Sequence, residues 1–469
     1  MIRSTTLSRS ALGLALALGV AAGAVVTASP ALAKDKAAAA APSQPKIAPS
    51  KPVMALYNPL KTALDNAAKR PDVVNARAAV ATAANAVNSA TTKSARATAR
   101  TGYDAAVKAL GDTLAPEKAQ LDQMGAAATT PDDKYVYGQF AFQLGKLGED
   151  KALQRKGLAT AAESGKLAPD VAAEYNFFVG ALSYDMLDFA TARTALQAAI
   201  NGGYNKNDVD SMLAEAYIND NQPAEGLKIL QAAIAKQGKA APQDWLRRGE
   251  VVAYNAKLLD QAAYFGSQLV AAYPSTQNWG LSIAVLRDLA RYPSQDMVDL
   301  LRLMDRTKSY MEARDYVEFI QATDPRRSPG ETMKIINAGL AAGKLSASDV
   351  FVTEAKNIAS GRLAQDKASL PGLERDARAP GATPVIVMAA ADAFLSYDDA
   401  AKAADLFQLA LTKPGVDTAK ALTRLGIAQT DLGQIAAAQA TFAKVSGARK
   451  PMAQLWSAYA GTKGAPAAP

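Results

Sequence analysis

Glu163, followed by Ser164 in the stretch AAESGKLAP, is the residue whose type and setting come nearest to chemistry of its own. Proton donation to a glycosidic oxygen needs one positioned glutamic acid. An exposed Glu titrates near about 4.3 and is a poor general acid at neutral pH. A second candidate is DPRRSPG at 324–330, which concentrates Arg326 and Arg327 between prolines. Such a cluster suits an anion, but it reads first as a solvated turn between helices. In LRRGE, at 246–250, the two arginines read as helix surface.

The chain contains no Cys and no His. That removes Cys/His zinc sites, Ser-His-Asp triads, Cys-His nucleophiles and His general bases. No disulfide can staple the fold, and no cofactor or metal site is expected. Packing alone must hold together whatever elements position these residues.

A length of 469 residues calls for several domains or one elongated array. Apolar residues make up 49% and charged ones 20%, a globular balance, while aromatics reach only 6%. Ala, the best helix former, is the commonest residue, and Val, Ile and Thr do not alternate in runs. The fold class expected is all-α.

Residues 1–33 read as a secretory signal: Arg3 and Arg9, then the apolar run ALGLALALGVAAGAVV, then ALA at 31–33 with cleavage after Ala33. The arginines are not paired, which argues against a twin-arginine route, and no Cys follows the apolar run to carry a lipid. Cleavage takes two arginines and no acid, so the net charge falls from +8 to +6. No later stretch is apolar for the roughly 20 residues a membrane helix needs. A periplasmic protein without a transmembrane span is expected. Residues 34–53, mixed in Ala, Pro, Ser and Lys, read as a disordered linker, and the tail 461–469 reads the same way.

Residues 54–126 form a separate Ala-rich block of two or three rather polar helices, with apolar positions at Val73, Val74, Ala78, Ala81 and Val87 and no sustained heptad. Pro71 and Pro116 suit helix first turns or boundaries. The block is expected to cap the helices that come after it.

The remainder of the chain is periodic. Ala192, Leu196 and Ala199 in DFATARTALQAAI recur 34 residues later as Gly226, Leu230 and Ala233 in QPAEGLKILQAAI. Ala403, Phe407 and Ala410 recur 35 residues later as Ala438, Phe442 and Val445. Periods of this length are the signature of stacked helical hairpins. In the last unit, RLGIAQTDLGQIAAAQATFAKV at 424–445, Leu425 and Gly426 stand together, Gly433 follows at a turn, then Ala438 and Phe442.

With these residues the chain resembles the tetratricopeptide repeat family. Leu425–Gly426 match its first-helix pair, Gly433 its inter-helix turn, Ala438 its small position and Phe442 its large one. Ala214 and Tyr217 before Gly226, and Trp245 leading to Ala262 and Pro274, carry parts of the same pattern. Repeats are expected over 133–274 and 384–460, with degenerate helical repeats over 275–383. The resemblance implies a right-handed superhelical solenoid whose first helices line a concave groove. By that alignment the groove-facing residues are Phe177, Ala181, Tyr184 and Asp185 in one unit, Ser211, Glu215, Ile218 and Asn219 in the next, and Thr423, Ile427, Thr430 and Asp431 in the last. Phe177, Tyr184, Asp185, Ser211, Glu215, Ile218 and Asn219 are the candidate partner-binding residues. The Lys/Arg/Asn carboxylate clamp of some family members is not matched, since Asp185, Glu215 and Asp431 would repel a carboxylate.

The function expected is a non-enzymatic protein–protein interaction scaffold of the bacterial cell envelope, binding envelope proteins or peptides and not nucleic acid. The basic charge is spread along the chain without interleaved aromatics, which is not a nucleic-acid pattern. The alternative is a peptidoglycan-acting lytic glycosidase with an α-superhelical body and Glu163 as its acid. Against it, no compact catalytic domain and no Gly-Leu-Met-Gln segment follow Glu163.

Overall fold

Residues 47–238 and 241–464 are described by a computed structural model. The expected signal peptide, residues 34–46 of the expected linker and residues 465–469 lie outside them. The described residues contain helices and no strand. The first four helices are α1 (Lys51–Ala67), α2 (Pro71–Ser89), α3 (Lys93–Thr113) and α4 (Ala115–Ala127). α1 starts inside the stretch read as linker: Pro52 occupies its first turn, where a missing N–H costs nothing, and Val53 is fully buried. α1 packs on α4 over a core of Leu60, Leu64, Leu110, Leu121 and Met124.

α2 and α3 pair as an antiparallel hairpin. Its seam differs from the one expected: Val74 is 48% exposed, and Ala78 and Ala81 face solvent. The shielded residues of α2 are Val73, Ala76, Val80, Ala83, Ala84 and Val87, and all but Ala84 follow the 3–4 alternation of a short coiled-coil seam. The heptad is hard to read because Ala fills seam and surface positions alike.

From residue 131 onward one turn recurs. α5 (Pro131–Leu147) and α6 (Lys151–Glu163), α7 (Pro169–Asp185) and α8 (Phe189–Asn201), α9 (Val209–Asn219) and α10 (Pro223–Gln237), and α11 (Gln243–Asn255) and α12 (Leu259–Ala272) are four successive hairpins. Next come α13 (Thr276–Ala290), α14 (Ser294–Thr307), α15 (Ala313–Thr323), α16 (Pro329–Ala341) and the long α17 (Val350–Ala377). Two more hairpins come after them, α18 (Pro384–Ser396) with α19 (Ala400–Leu411) and α20 (Thr418–Asp431) with α21 (Ile435–Phe442), and then α22 (Lys450–Gly464). In all six hairpins the turn holds one left-handed residue: Glu149, Leu187, Asn221, Lys257, Asp398 or Gly433, with φ between 52° and 73°. The next residue donates its N–H to the carbonyl five back, as in Asp188 to Ser183 and Gln434 to Gln429, both at 2.9 Å. Asp150, Asp188 and Asp399 then cap the second helix through their side chains.

In four of these hairpins a small residue comes seven before the left-handed one: Gly180, Ala214, Ala391 or Gly426. Sixteen further on comes a large one, Leu196, Leu230, Phe407 or Phe442, and all are buried. An added methyl at Gly426 would lie 2.5 Å from the Phe442 ring, and one at Gly180 2.5 Å from Leu196. That close approach is why the small–large pair repeats. The Phe442 ring also stacks on Trp456 of α22, at 6.4 Å between centroids.

The C-terminal half does not stay open as the resemblance implies. α22 packs against both α21 and α12, so the row of helices from α12 to α22 closes on itself. α14 lies within the closure, and Met297 through Asp305 are buried without interruption. Its apolar side meets the core. Its other side carries Asp299, to which Arg302, Arg424 and Arg449 all donate, from α14, from α20 and from just before α22. Arg302 also forms a fork on Glu331 at 2.8 and 2.7 Å. The Trp456 ring N–H donates to the Asp299 carbonyl at 2.8 Å, and Arg306 binds Asp431 at 3.0 and 2.7 Å.

Burial alone would raise the Asp299 carboxyl. The guanidiniums of Arg424, Arg449 and Arg302 outweigh it and hold the group well below the usual carboxylate range. Asp299→Asn leaves three buried guanidiniums short of their counter-charge and should cost about 3–5 kcal/mol in urea unfolding. A midpoint equal to wild type would mean that the closure does not depend on this ion cluster.

Candidate functional site

The first helices of the N-terminal hairpins, α5, α7, α9 and α11, are tied together by polar bonds that span one repeat. Gln139 donates to the Tyr175 hydroxyl at 3.0 Å, and Asn219 to the Tyr184 hydroxyl at 2.8 Å. Arg248 forks onto Glu215 at 2.7 and 2.9 Å, and Tyr254 donates to Asp288 at 2.8 Å. Lys151 of α6 pairs with Asp185 at 2.7 Å. The separations of 33 to 36 residues are the repeat period. Tyr184, Asn219, Glu215 and Arg248 make a continuous strip across α7, α9 and α11. The Glu215 side chain is only 13% exposed, so its bidentate bond to Arg248 is well shielded, whereas Lys151–Asp185 is an exposed pair that contributes little.

The candidate residues separate on this strip. Tyr184, Ser211 and Glu215 are half-buried, and Asp185 and Asn219 are exposed. Phe177 does not face a groove. It is fully buried, stacked on Tyr204 at 4.6 Å and set edge-on to Phe178, because the connection after α8 brings Tyr204 against it. Ile218 turns into its own hairpin, where an added methyl on Gly226 would lie 2.7 Å from its side chain. In the last unit Thr423, Ile427 and Thr430 are buried in the closure, and Asp431 binds Arg306. Asp185, Glu215 and Asp431, expected to repel a carboxylate, each carry a cation already. The strip is therefore polar and locally neutral. Arg248 is not the plain helix surface that its sequence suggests; its signal is an opposite charge one repeat earlier.

Glu163 is exposed at the end of α6. Arg326 and Arg327 form an exposed turn closed by Asp324, whose carbonyl accepts from the Arg327 N–H at 2.9 Å. Among the described residues no group of acidic side chains has metal-binding geometry, and no helix is long and apolar enough to cross a membrane.

One buried acid has no forewarning in the sequence pattern. In the fourth hairpin Glu250 occupies the small position and Gly266 the large one, so the pair is reversed. The close contact moves one residue earlier, to Gly249 against the Phe265 ring. Glu250 is 5% exposed, and an added methyl on Gly266 would lie 2.5 Å from its Oε1. Glu250 Oε1, Ser282 Oγ of α13 and Arg247 Nε are buried and make no hydrogen bond of good geometry.

Burial pushes the Glu250 carboxyl up to about 7, against the nearby Ser282 hydroxyl and the Arg247 charge. A carboxyl raised on folding stabilises the fold below its unfolded value, and that stability is lost as pH rises through the folded value. About 3 kcal/mol should therefore disappear between about pH 4.5 and 8. Glu250→Gln should flatten that loss and raise the thermal midpoint at pH 8. Parallel melting curves for the two proteins across this range would refute the assignment.

The fold defines an all-α superhelical solenoid of tetratricopeptide-like hairpins. No protein-family model matches the chain, and no curated relative matches it. Among solved structures it is similar to a Naa15/Naa10 complex bound to HypK-THB, with 16% identity, 86% of this chain and 70% of that one covered, and a TM-score of 0.32. It is also similar to the Cut9–Hcn1 hetero-tetramer of the APC/C, with 13% identity, coverage of 72% and 83%, and a TM-score of 0.16. Superpositions this loose carry no argument, and the repeat architecture rests on the hairpin geometry.

Proposed function

We propose that this chain is a non-catalytic protein–protein interaction scaffold of the bacterial cell envelope, and that it takes a partner segment on the strip formed by α7, α9 and α11. The observation that carries the reading is the difference between the two halves. In the C-terminal half the equivalent first-helix residues, Thr423, Ile427 and Thr430, are buried by the chain's own closure. In the N-terminal half Tyr184, Ser211, Glu215 and Asn219 remain half-buried or exposed, bound into a polar strip by repeat-to-repeat bonds. A strip held in place before a partner arrives loses little side-chain entropy on binding, which favours its use as a recognition surface. The Tyr184 ring, edge-on to Phe189 at 5.5 Å, offers the aromatic anchor that interfaces rely on. An envelope location is supported by the signal-like residues 1–33.

A photo-crosslinking residue at Asn219, introduced in cells that make the protein, should trap a discrete envelope protein, while the same residue at Thr423 should trap none. Tyr184→Ala should reduce the yield at Asn219 with the thermal midpoint unchanged. No adduct from Asn219 or Ser211 would remove the strip as the site. Release of soluble muropeptides from murein sacculi, lost in Glu163→Gln, would replace the scaffold with a lytic enzyme.

A further inference from the structure

The α2–α3 hairpin reaches away from the body. Its base is fixed by Val73, Val80, Leu110 and Leu114, and none of the described residues from 81 to 109 is buried. Beyond Val80 the nine residues 81–89 carry α2 about 14 Å outward at helical rise. Packing against the core does not require that length.

The outer part of the arm carries charge of one sign. Between Asp72 and Asp104 the sequence holds Arg77, Lys93, Arg96 and Arg100 and no acid. Lys93, Arg96 and Arg100 are exposed. Spaced three and four apart, they share one face of α3 near the tip. Arg96 gives one N–H to the carbonyl of Ala90 at 3.0 Å, which caps the end of α2 and leaves the rest of its fork outward. Arg100 meets Asp104 at 3.3 Å in an open pair with side chains 59% and 62% exposed, which restrains it weakly.

We propose that this arm is a docking element for the phosphate headgroups of an anionic lipid bilayer, with Lys93, Arg96 and Arg100 as its contact face. The composition of the arm selects this occupant over a protein. Residues 81–102 contain no aromatic residue and no Leu, Ile or Met, and the nearest ring, Tyr103, is half-buried with Arg100 over its face at 5.5 Å, so the tip lacks the free anchors that carry most protein interfaces. It offers small polar surface and an excess of positive charge, in which Arg100 alone of the three cations meets an acid, and a dense sheet of fixed negative charge attracts such a face without side-chain pockets. The arm is a separate element from the strip on α7, α9 and α11, so docking does not depend on that strip being a binding site.

The test is co-sedimentation of the purified protein with vesicles. Vesicles of phosphatidylglycerol and phosphatidylcholine in equal parts should bind it, and vesicles of phosphatidylcholine alone should not. Binding should weaken as added salt shortens the Debye length from about 10 Å towards about 3 Å. The triple reversal Lys93→Glu, Arg96→Glu, Arg100→Glu should lower vesicle affinity by about tenfold or more. The double reversal at Lys93 and Arg100 leaves the cap on Ala90 intact and should still lose most binding with an unchanged thermal midpoint. A charge-matched control with Lys356, Lys413 and Lys444 changed to Glu, all outside the arm, should bind as wild type. No binding to anionic vesicles at low salt, or an equal loss in the control, overturns the proposal. Arm-dependent binding to polyglutamate without binding to vesicles overturns it in favour of an acidic polypeptide.

Discussion

A carboxylate shut away from water tolerates ionisation only where positive charge surrounds it, and Asp299 meets that condition from three directions. Arg302 comes from its own helix, Arg424 from a helix 125 residues on, and Arg449 from a segment 150 residues on. If α20 or the segment before α22 moved away, Asp299 would be left with an uncompensated desolvation cost of several kcal/mol, and the departing guanidinium would leave its other acids as well. Arg424 also holds Asp392, and Arg449 holds Asp296. An apolar seam could slide by one turn with modest loss, but this cluster has one register. It fixes where the last repeats land and turns the C-terminal half from an open ribbon into a closed body.

That closure determines where recognition is available. A helical hairpin exposes its first helix until something covers it. Around α14 the cover is the chain itself, which buries Thr423 and Thr430 and ties Asp431 to Arg306. Towards the N-terminus no such return occurs among the described helices, and the polar bonds run from repeat to repeat along the face. These bonds exchange solvent hydrogen bonds for fixed ones and add little net stability. What they supply is order: Tyr184, Asn219, Glu215 and Arg248 are held in one arrangement by their neighbours. The α2–α3 arm is held by neither device, and its coiled-coil seam of Val and Ala is enough to keep it a hairpin.

The repeat architecture was legible in the sequence because it rests on close approach, which demands a small residue opposite a large one at a fixed distance along the chain. Gly426 against Phe442 carries that signal openly, and Ala192 and Leu196 carry the period by recurring as Gly226 and Leu230. The turns carried it poorly. Gly433 announces a left-handed residue, but Glu149, Leu187 and Lys257 adopt the same conformation with nothing in their type to show it. The fourth hairpin was expected from Trp245 and Ala262, but the reversal of its pair to Glu250 and Gly266 left the buried acid unread. Phe177 was misplaced because alignment gives a position on a helix and not the loop that folds over it; Tyr204 supplies that cover. The closure was out of reach, since its partners stand 125 to 157 residues apart and their types, Asp and Arg, are ordinary surface residues.

Asp299 and Glu250 are both buried acids, and their surroundings drive them to opposite states. Asp299 is held ionised by three guanidiniums. Its contribution is present above its unfolded pKa and is lost only as pH falls far below the usual carboxylate range. Glu250 has one arginine, a serine hydroxyl and a wall of apolar neighbours, so its protonated form is the one that suits the fold. Near neutral pH the Asp299 cluster is therefore indifferent to pH, while ionising Glu250 disfavours its buried place between α11, α12 and α13. α11 carries Arg248 on one side and Glu250 on the other. The helix that completes the polar strip thus also carries the buried acid whose protonation matters to its packing.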